Sequence, residues 1–239
     1  MTIGDGRPPA GQQQRLDVPP ELPPPKKGLP RAADLVIAAI GLVLVSPLIA
    51  LIAVAIKLES RGPLFYRQRR VGKGGEVFEM FKLRTMRKGA DPIGVGTAVT
   101  ADDPRVTRVG RLLRRYSLDE LPNLINVLRG DMRIVGPRAT LPAQVELYTP
   151  RQRRRLDLRP GVTGWAQIHG RAGVPWEERI ELDVWYVEHR SLWLDLKILA
   201  RTPGALLAGA GNVAPDPYAG SSPDSPLRQA AEREQARER

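Results

Sequence analysis

The longest feature of the hydropathy pattern is the run LVIAAIGLVLVSPLIALIAVAI from Leu35 to Ile56, 22 residues without a charge. At about 1.5 Å per residue, a helix of that length covers a bilayer core of roughly 30 Å. It starts too late, is too long and lacks the small-x-small ending of a secretory leader. Ser46-Pro47 stands at its middle, where proline removes the bond to the Val43 carbonyl and kinks a helix. In lipid the freed carbonyl needs another donor, from a serine or a neighbouring segment. Lys26, Lys27 and Arg31 precede the run, and Lys57, Arg61, Arg67, Arg69 and Arg70 follow it. Basic side chains favour the cytoplasmic side, so this balance barely orients a crossing helix. Two topologies stay open: a kinked helix that crosses, or one that breaks at Ser46-Pro47 and returns.

Beyond the run the pattern is mixed. Short apolar pieces punctuated by Gly72 and Gly74-Gly75 predict a hairpin over Gly62 to Phe81. Arg108 to Tyr116 and Ser117 to Leu128 read as short helices, and Gln144 to Leu156 as a basic surface helix interrupted by Pro150. Trp176 to Arg190 and Leu192 to Thr202 carry apolar residues at helical spacing. The ends differ in kind. Residues 1–30 hold eight of the 23 prolines and few large apolar side chains, which predicts a disordered arm. Residues 203–239 predict a disordered tail for the same reason. The expected organisation is α+β: arm 1–30, membrane helix 31–57, a mostly helical domain 58–202 with a small β-hairpin, and tail 203–239.

Composition narrows the chemistry. The absence of cysteine excludes disulfides, thiolate zinc sites and cysteine nucleophiles. With only two histidines, His169 and His189, a metal must sit on oxygen ligands, which favours a hard cation such as Mg²⁺. Thirty of the 37 basic residues are arginine, the side chain suited to phosphate and carboxylate. The ends are nearly neutral, so the whole net charge of +11 belongs to the middle and calls for an anionic partner. Nucleic acid is not that partner on sequence grounds, because no helix-turn-helix, RRM or zinc signature is present. Gly72-Lys73 lacks the spacing of a P-loop.

The candidate chemistry centres on RRYSLDELPNLINVLRGDM, where Asp119-Glu120 follows a dense basic run. Ser117 with Glu120 matches a capping box, and acids suit a first helical turn. Two adjacent carboxylates below Arg114 and Arg115 also suit a metal and phosphate site, one attacking substrate while the other holds Mg²⁺. The nearby guanidinium groups are expected to keep both acids ionised. The two readings are compatible.

Four segments in order, FYRQRRVGKGGEVFEMFKLRTM, DDPRVTRVGRLLRRYSLDELPNLINVLRGDMRIVGPR, LRPGVTGWAQIHGR and LDVWYVEHRSLWLDLKILART, resemble the bacterial sugar transferase family. These are the monotopic phosphoglycosyl transferases, which act on undecaprenyl phosphate at the cytoplasmic face of the inner membrane. The resemblance covers about Arg31 to Thr202 and implies a re-entrant membrane helix broken at Ser46-Pro47. It implies Asp119 as nucleophile on the sugar-bearing phosphorus and Glu120 as ligand of Mg²⁺, with Mn²⁺ a possible substitute. It also implies substrate contacts from Lys82, Arg114, Arg138, Arg171 and Asp195. The expected partners are a nucleoside-diphosphate sugar, UDP-linked in most of the family, polyprenyl phosphate and the bilayer. Ala139 departs from the family's Gly-Pro-Arg-Pro and is expected to loosen that loop. Asn123 for Gln and His169 for Asn touch none of the implied chemistry.

Overall fold

The computed structural model describes residues 24–90, 103–169, 174–208 and a few positions between 225 and 233. The arm before residue 24 and most of the expected tail lie outside the described residues. The apolar run becomes one helix, α1, Arg31–Glu59. Pro47 lies inside it without ending it, so the break expected at Ser46-Pro47 is not seen in the secondary structure. The reason is local: Ser46 Oγ donates to the Val43 carbonyl at 2.8 Å, supplying the bond that proline cannot.

The predicted hairpin forms from β1 (Phe65–Val71) and β2 (Val77–Leu83), paired antiparallel from Phe65–Leu83 to Val71–Val77. Helix α2 (Arg108–Arg115) begins at Thr107, whose side chain accepts from the Gly110 N–H. The helix expected from Ser117 to Leu128 is instead a 3-10 turn, Leu118–Glu120, followed by α3, Asn123–Arg129. Pro122 causes this, because it has no N–H to return to the Leu118 carbonyl, which Leu121 takes at 3.3 Å. The capping box is therefore not formed. Ser117 sits in the left-handed region at φ 56° and its side chain makes no cap bond.

A second sheet was not expected. β3 (Arg133–Val135) and β4 (Gly161–Thr163) pair in parallel, Arg133 against Gly161 and Val135 against Thr163. Between them lie α4, Pro142–Glu146, and a 3-10 segment, Gln152–Asp157. This replaces the basic surface helix expected over 144–156, and Arg154 and Arg155 are buried rather than exposed. The short α5 (Trp165–Ile168) and the predicted α6 (Trp176–His189) and α7 follow. α7 spans Leu192–Leu207, running past the expected boundary at residue 202 and through Pro203.

Three apolar clusters join these elements. The largest brings Ala38 of α1 against Val127 of α3, Val135 of β3, Tyr186 of α6 and Ile198 of α7. The second packs Val71, Val145, Leu156, Trp176 and Val184. The third brings Ile52 and Ile56, near the other end of α1, against Leu83 and Leu113.

Both ends of α1 are thus held by the same domain. At its start, fully buried Asp34 accepts from Arg133 Nε at 2.8 Å and from the Ile134 N–H at 3.1 Å. Just before it, Leu29 N–H donates to Asp195 at 2.7 Å. At its end, Glu59 accepts from the first N–H groups of α2, Arg108 at 2.6 Å and Val109 at 2.9 Å. Arg84 donates to the Ser60 and Arg61 carbonyls just beyond. Midway along, Gly41 faces Leu124 of α3. The opposite face, with Val36, Ile40, Val43, Leu44, Leu51 and Val54, is exposed and apolar. By length and composition α1 is able to cross a membrane.

Asp195 is expected to dominate the anchoring at the start of α1. It is fully buried and accepts from Leu29, from Tyr186 Oη at 2.6 Å and lies 3.6 Å from Arg190. Asp195→Ala leaves a buried guanidinium and two donors uncompensated, so a loss of about 3 kcal/mol is expected. Thermal unfolding in detergent measures it, and an unchanged midpoint contradicts the anchoring role.

Candidate active site

Asp119 and Glu120 occupy the 3-10 turn between α2 and α3, and both are almost completely buried. Their surroundings are assembled from three directions. From the hairpin side, Asn126 of α3 pins β2: its Oδ1 accepts the Phe81 N–H at 3.0 Å and its Nδ2 donates to the Glu79 carbonyl at 2.7 Å. That contact sets Lys82 of β2 over the turn, with Nζ 3.0 Å from Glu120 Oε1.

From the second sheet comes the loop Gly136-Pro137-Arg138. It lies backbone to backbone against the start of β4, with Gly136 N–H donating to Thr163 O at 3.0 Å and Gly161 N–H to Pro137 O at 2.9 Å. Side chains are excluded here, since a Cβ on Gly136 would approach Arg159 O to 2.6 Å and one on Gly164 would approach Gly136 O to 2.1 Å. Asp183 of α6 accepts the Arg138 N–H at 3.1 Å, and Arg155 donates to the Arg138 carbonyl at 3.1 Å. With its backbone fixed on both sides, Arg138 extends Nη2 to donate to Glu120 Oε1 at 2.8 Å.

From α2, Arg114 donates Nε to Thr85 Oγ1 at 2.8 Å. Burial lowers its pKa, and Asp119 is the charge that opposes this most, which puts the two groups within electrostatic reach.

The two acids are not alike. Burial works against ionised Glu120, but Arg138 and Lys82 outweigh it and hold the carboxyl well below the usual range. For Asp119 burial wins: despite Lys82 nearby, its pKa is pushed up to about 6, with Glu120 adding to the rise. Glu120 is thus held by Arg138 and Lys82 rather than by the upstream arginines expected to do so, and the expectation is too strong for Asp119. Asp119 Oδ1 is buried with no hydrogen-bond partner among the described residues. A desolvated, unsatisfied carboxylate oxygen is costly to a fold and apt for attack on an electrophile.

The structure therefore brings together Asp119, Glu120, Lys82, Arg114 and Arg138. Asp195 is not part of this group: its oxygens are taken up by Leu29, Tyr186 and Arg190 at the base of α1. Arg171 lies outside the described residues. Sequence reasoning missed Arg70, which it counted only as a flanking charge. Arg70 is half-buried near the dyad, where desolvation and Arg138 push its pKa down to about 10. It donates to the Ala139 carbonyl at 3.2 Å, next to Arg138. Its signal was its place on β1, where residues alternate between faces and Arg70 turns toward the loop while Arg69 stays exposed.

No group of three or more His, Asp or Glu residues converges among the described residues. Mg²⁺ does not require such a group, since it binds through one or two carboxylates and completes its shell with water and substrate phosphate. The orphaned Asp119 oxygen beside Glu120 fits such a donor set.

A family model described as bacterial sugar transferase matches residues 26–209. The chain belongs to the bacterial sugar transferase family. Among its relatives is the uncharacterized sugar transferase EpsL of Bacillus subtilis, 44% identical over 183 residues, covering 77% of this chain and 89% of the relative. The UDP-glucose:undecaprenyl-phosphate glucose-1-phosphate transferase of Caulobacter vibrioides is 49% identical over 185 residues, covering 74% and 69%. The protein of that name in Escherichia coli is 46% identical over 184 residues, but the match spans only 39% of its length. Within this sugar transferase the loop at Ala139 is not loose: Ala139 is buried, Arg70 holds its carbonyl, and the Val71 N–H donates to Thr140 O at 2.9 Å.

Proposed function

We propose that the chain transfers a sugar-1-phosphate from a UDP-linked sugar to polyprenyl phosphate at the cytoplasmic face of the cell membrane. The observation that carries this reading is the unpartnered, buried Asp119 Oδ1 among Lys82, Arg114 and Arg138. Relatives whose names specify UDP-sugars and undecaprenyl phosphate support the substrate class.

The chemistry is two displacements at one phosphorus. An Asp119 oxygen attacks the phosphorus that bears the sugar, a new P–O bond forms, and the diphosphate P–O bond breaks to release the nucleoside monophosphate. An oxygen of polyprenyl phosphate then attacks the same phosphorus and returns Asp119 as carboxylate. No base is needed in the first step, since ionised Asp119 has no proton to lose. Arg138, Lys82 and Arg114 neutralise phosphate charge in a site from which water is largely excluded. Mg²⁺, held by Glu120 with the orphaned Asp119 oxygen beside it, would supply further charge neutralisation of the diphosphate.

A nucleotide-release assay with undecaprenyl phosphate across a panel of sugar nucleotides tests the reading. Release of UMP from at least one UDP-sugar is expected, and silence across the panel refutes it.

The reading extends to the membrane topology of α1. Both ends rest on one domain, and one face is apolar and exposed. These contacts support a helix that enters the bilayer and returns, with both basic flanks in cytoplasm. Cysteine labelling is clean because the chain has no cysteine of its own. Gly28 and Gly62 are unsuitable sites, since a Cβ on Gly28 meets Asp195 at 2.3 Å and Gly62 has φ +127°. Exposed Lys27 and Pro63 serve instead. Lys27→Cys and Pro63→Cys should both resist an impermeant reagent in intact cells and react after permeabilisation. Reaction of one alone in intact cells establishes a crossing helix.

A further inference from the structure

Three arginines crowd one buried carboxylate next to the dyad. Asp183 is fully buried and gives Oδ2 both to the Arg138 N–H at 3.1 Å and to Arg155 at 2.6 Å. Arg155 is paired through both terminal nitrogens, because it also donates to the Arg138 carbonyl and to Tyr148 Oη, while its Nε has no partner among the described residues. Arg179 lies one turn before Asp183 on α6, so both share the helix face that meets the Gly136–Arg138 loop. Its Nε is buried with no hydrogen-bond partner among the described residues.

The charge balance sharpens this. Burial, then repulsion from Arg138 and Arg155, push the Arg179 pKa down to about 10, and Asp183 and Glu177 oppose that only in part. The side chain remains a cation at neutral pH, among other cations, with a donor unused. A fold gains nothing from that arrangement alone; a bound anion does.

Arg138 connects this cluster to the chemistry. Its guanidinium holds Glu120, while its backbone rests on the face of α6 that carries Arg179. Arg179 lies within electrostatic reach of Arg138, so a diphosphate that extends from Asp119 past Arg138 would have this second arginine on its path. We propose that Arg179 is a substrate-binding residue that donates to the phosphate of the departing nucleotide, beside Arg138. This rests on the functional reading above and adds to it the residue that recognises the leaving group.

Inorganic pyrophosphate, which has the charged core of the substrate without base or sugar, is the probe. Its binding to Asp119→Asn protein, with Mg²⁺ present, is measured by calorimetry with and without Arg179→Gln. The second substitution should weaken binding about tenfold or more, and Arg179→Lys should recover part of the loss. In turnover, Arg179→Gln should raise KM for the sugar nucleotide by a similar factor and leave KM for polyprenyl phosphate unchanged. Unchanged pyrophosphate affinity, or no binding by the Asp119→Asn parent, overturns the proposal. A lowered unfolding midpoint with unchanged affinity also overturns it, and marks Arg179 as a structural partner of Asp183. If pyrophosphate binds through Arg179 but no sugar nucleotide is ever cleaved, the functional reading fails and the anion site stands.

Discussion

Asp119→Asn should reduce nucleotide release by at least about a thousandfold, because the amide is neutral and a far poorer nucleophile than the carboxylate. The substitution is nearly isosteric, and Asp119 Oδ1 has no hydrogen bond to lose, so the fold should persist. Folding is checked by the unfolding midpoint, which is expected to hold or rise as one buried carboxylate is neutralised. The more direct measurement is intact-protein mass spectrometry of the unaltered enzyme, mixed with its sugar nucleotide and Mg²⁺ without polyprenyl phosphate. An added sugar-phosphate mass, mapped to Asp119, is the expected result. Robust turnover by Asp119→Asn would favour direct transfer to the lipid phosphate, as would rapid quenching that never captures an adduct.

Glu120→Gln should cost activity by about a hundredfold, and for two separable reasons. Glu120 Oε1 accepts from both Lys82 and Arg138, each largely buried, so removing its charge leaves two cations without their shared counter-ion. A stability loss of about 3 kcal/mol is expected from that alone. The metal role predicts something further: chelation with EDTA abolishes turnover of the unaltered enzyme, Mg²⁺ or Mn²⁺ restores it, and Glu120→Gln needs far more metal for half-maximal rate. Full activity in excess EDTA rules the metal out. A Glu120→Gln protein that is destabilised yet has an unchanged metal requirement assigns Glu120 to the ion pairs only.

The sequence was most legible where periodicity is long. The apolar run, the β1–β2 hairpin, α6 and α7 all carry enough repeats for the pattern to declare itself. It failed where short elements are decided by one residue. Pro122 splits the helix expected after Ser117, and no capping signal competes with a missing N–H. β3 and β4 have three residues each, too few for an alternation, and they pair because Gly136, Gly161 and Gly164 let two backbones meet. Among charged residues, adjacency made Asp119-Glu120 visible, whereas the Arg138–Asp183–Arg155–Arg179 cluster joins three separate segments. Asp195 shows the converse error, since a carboxylate in a recognisable motif proved to be an anchor for α1.

On the proposed function and topology, the two clamps on α1 bear on how the protein would meet its substrates. With Asp34 and Asp195 at one end and Glu59 and Arg84 at the other, the domain has no slack tether on which to drift. A domain held at fixed height above a bilayer meets a lipid-borne reactant by lateral diffusion in a plane, already oriented head first. The water-soluble reactant must arrive from three dimensions and be captured by charge. The apolar face of α1 and the arginine-rich pocket then divide the labour of search between them, one surface for each phase.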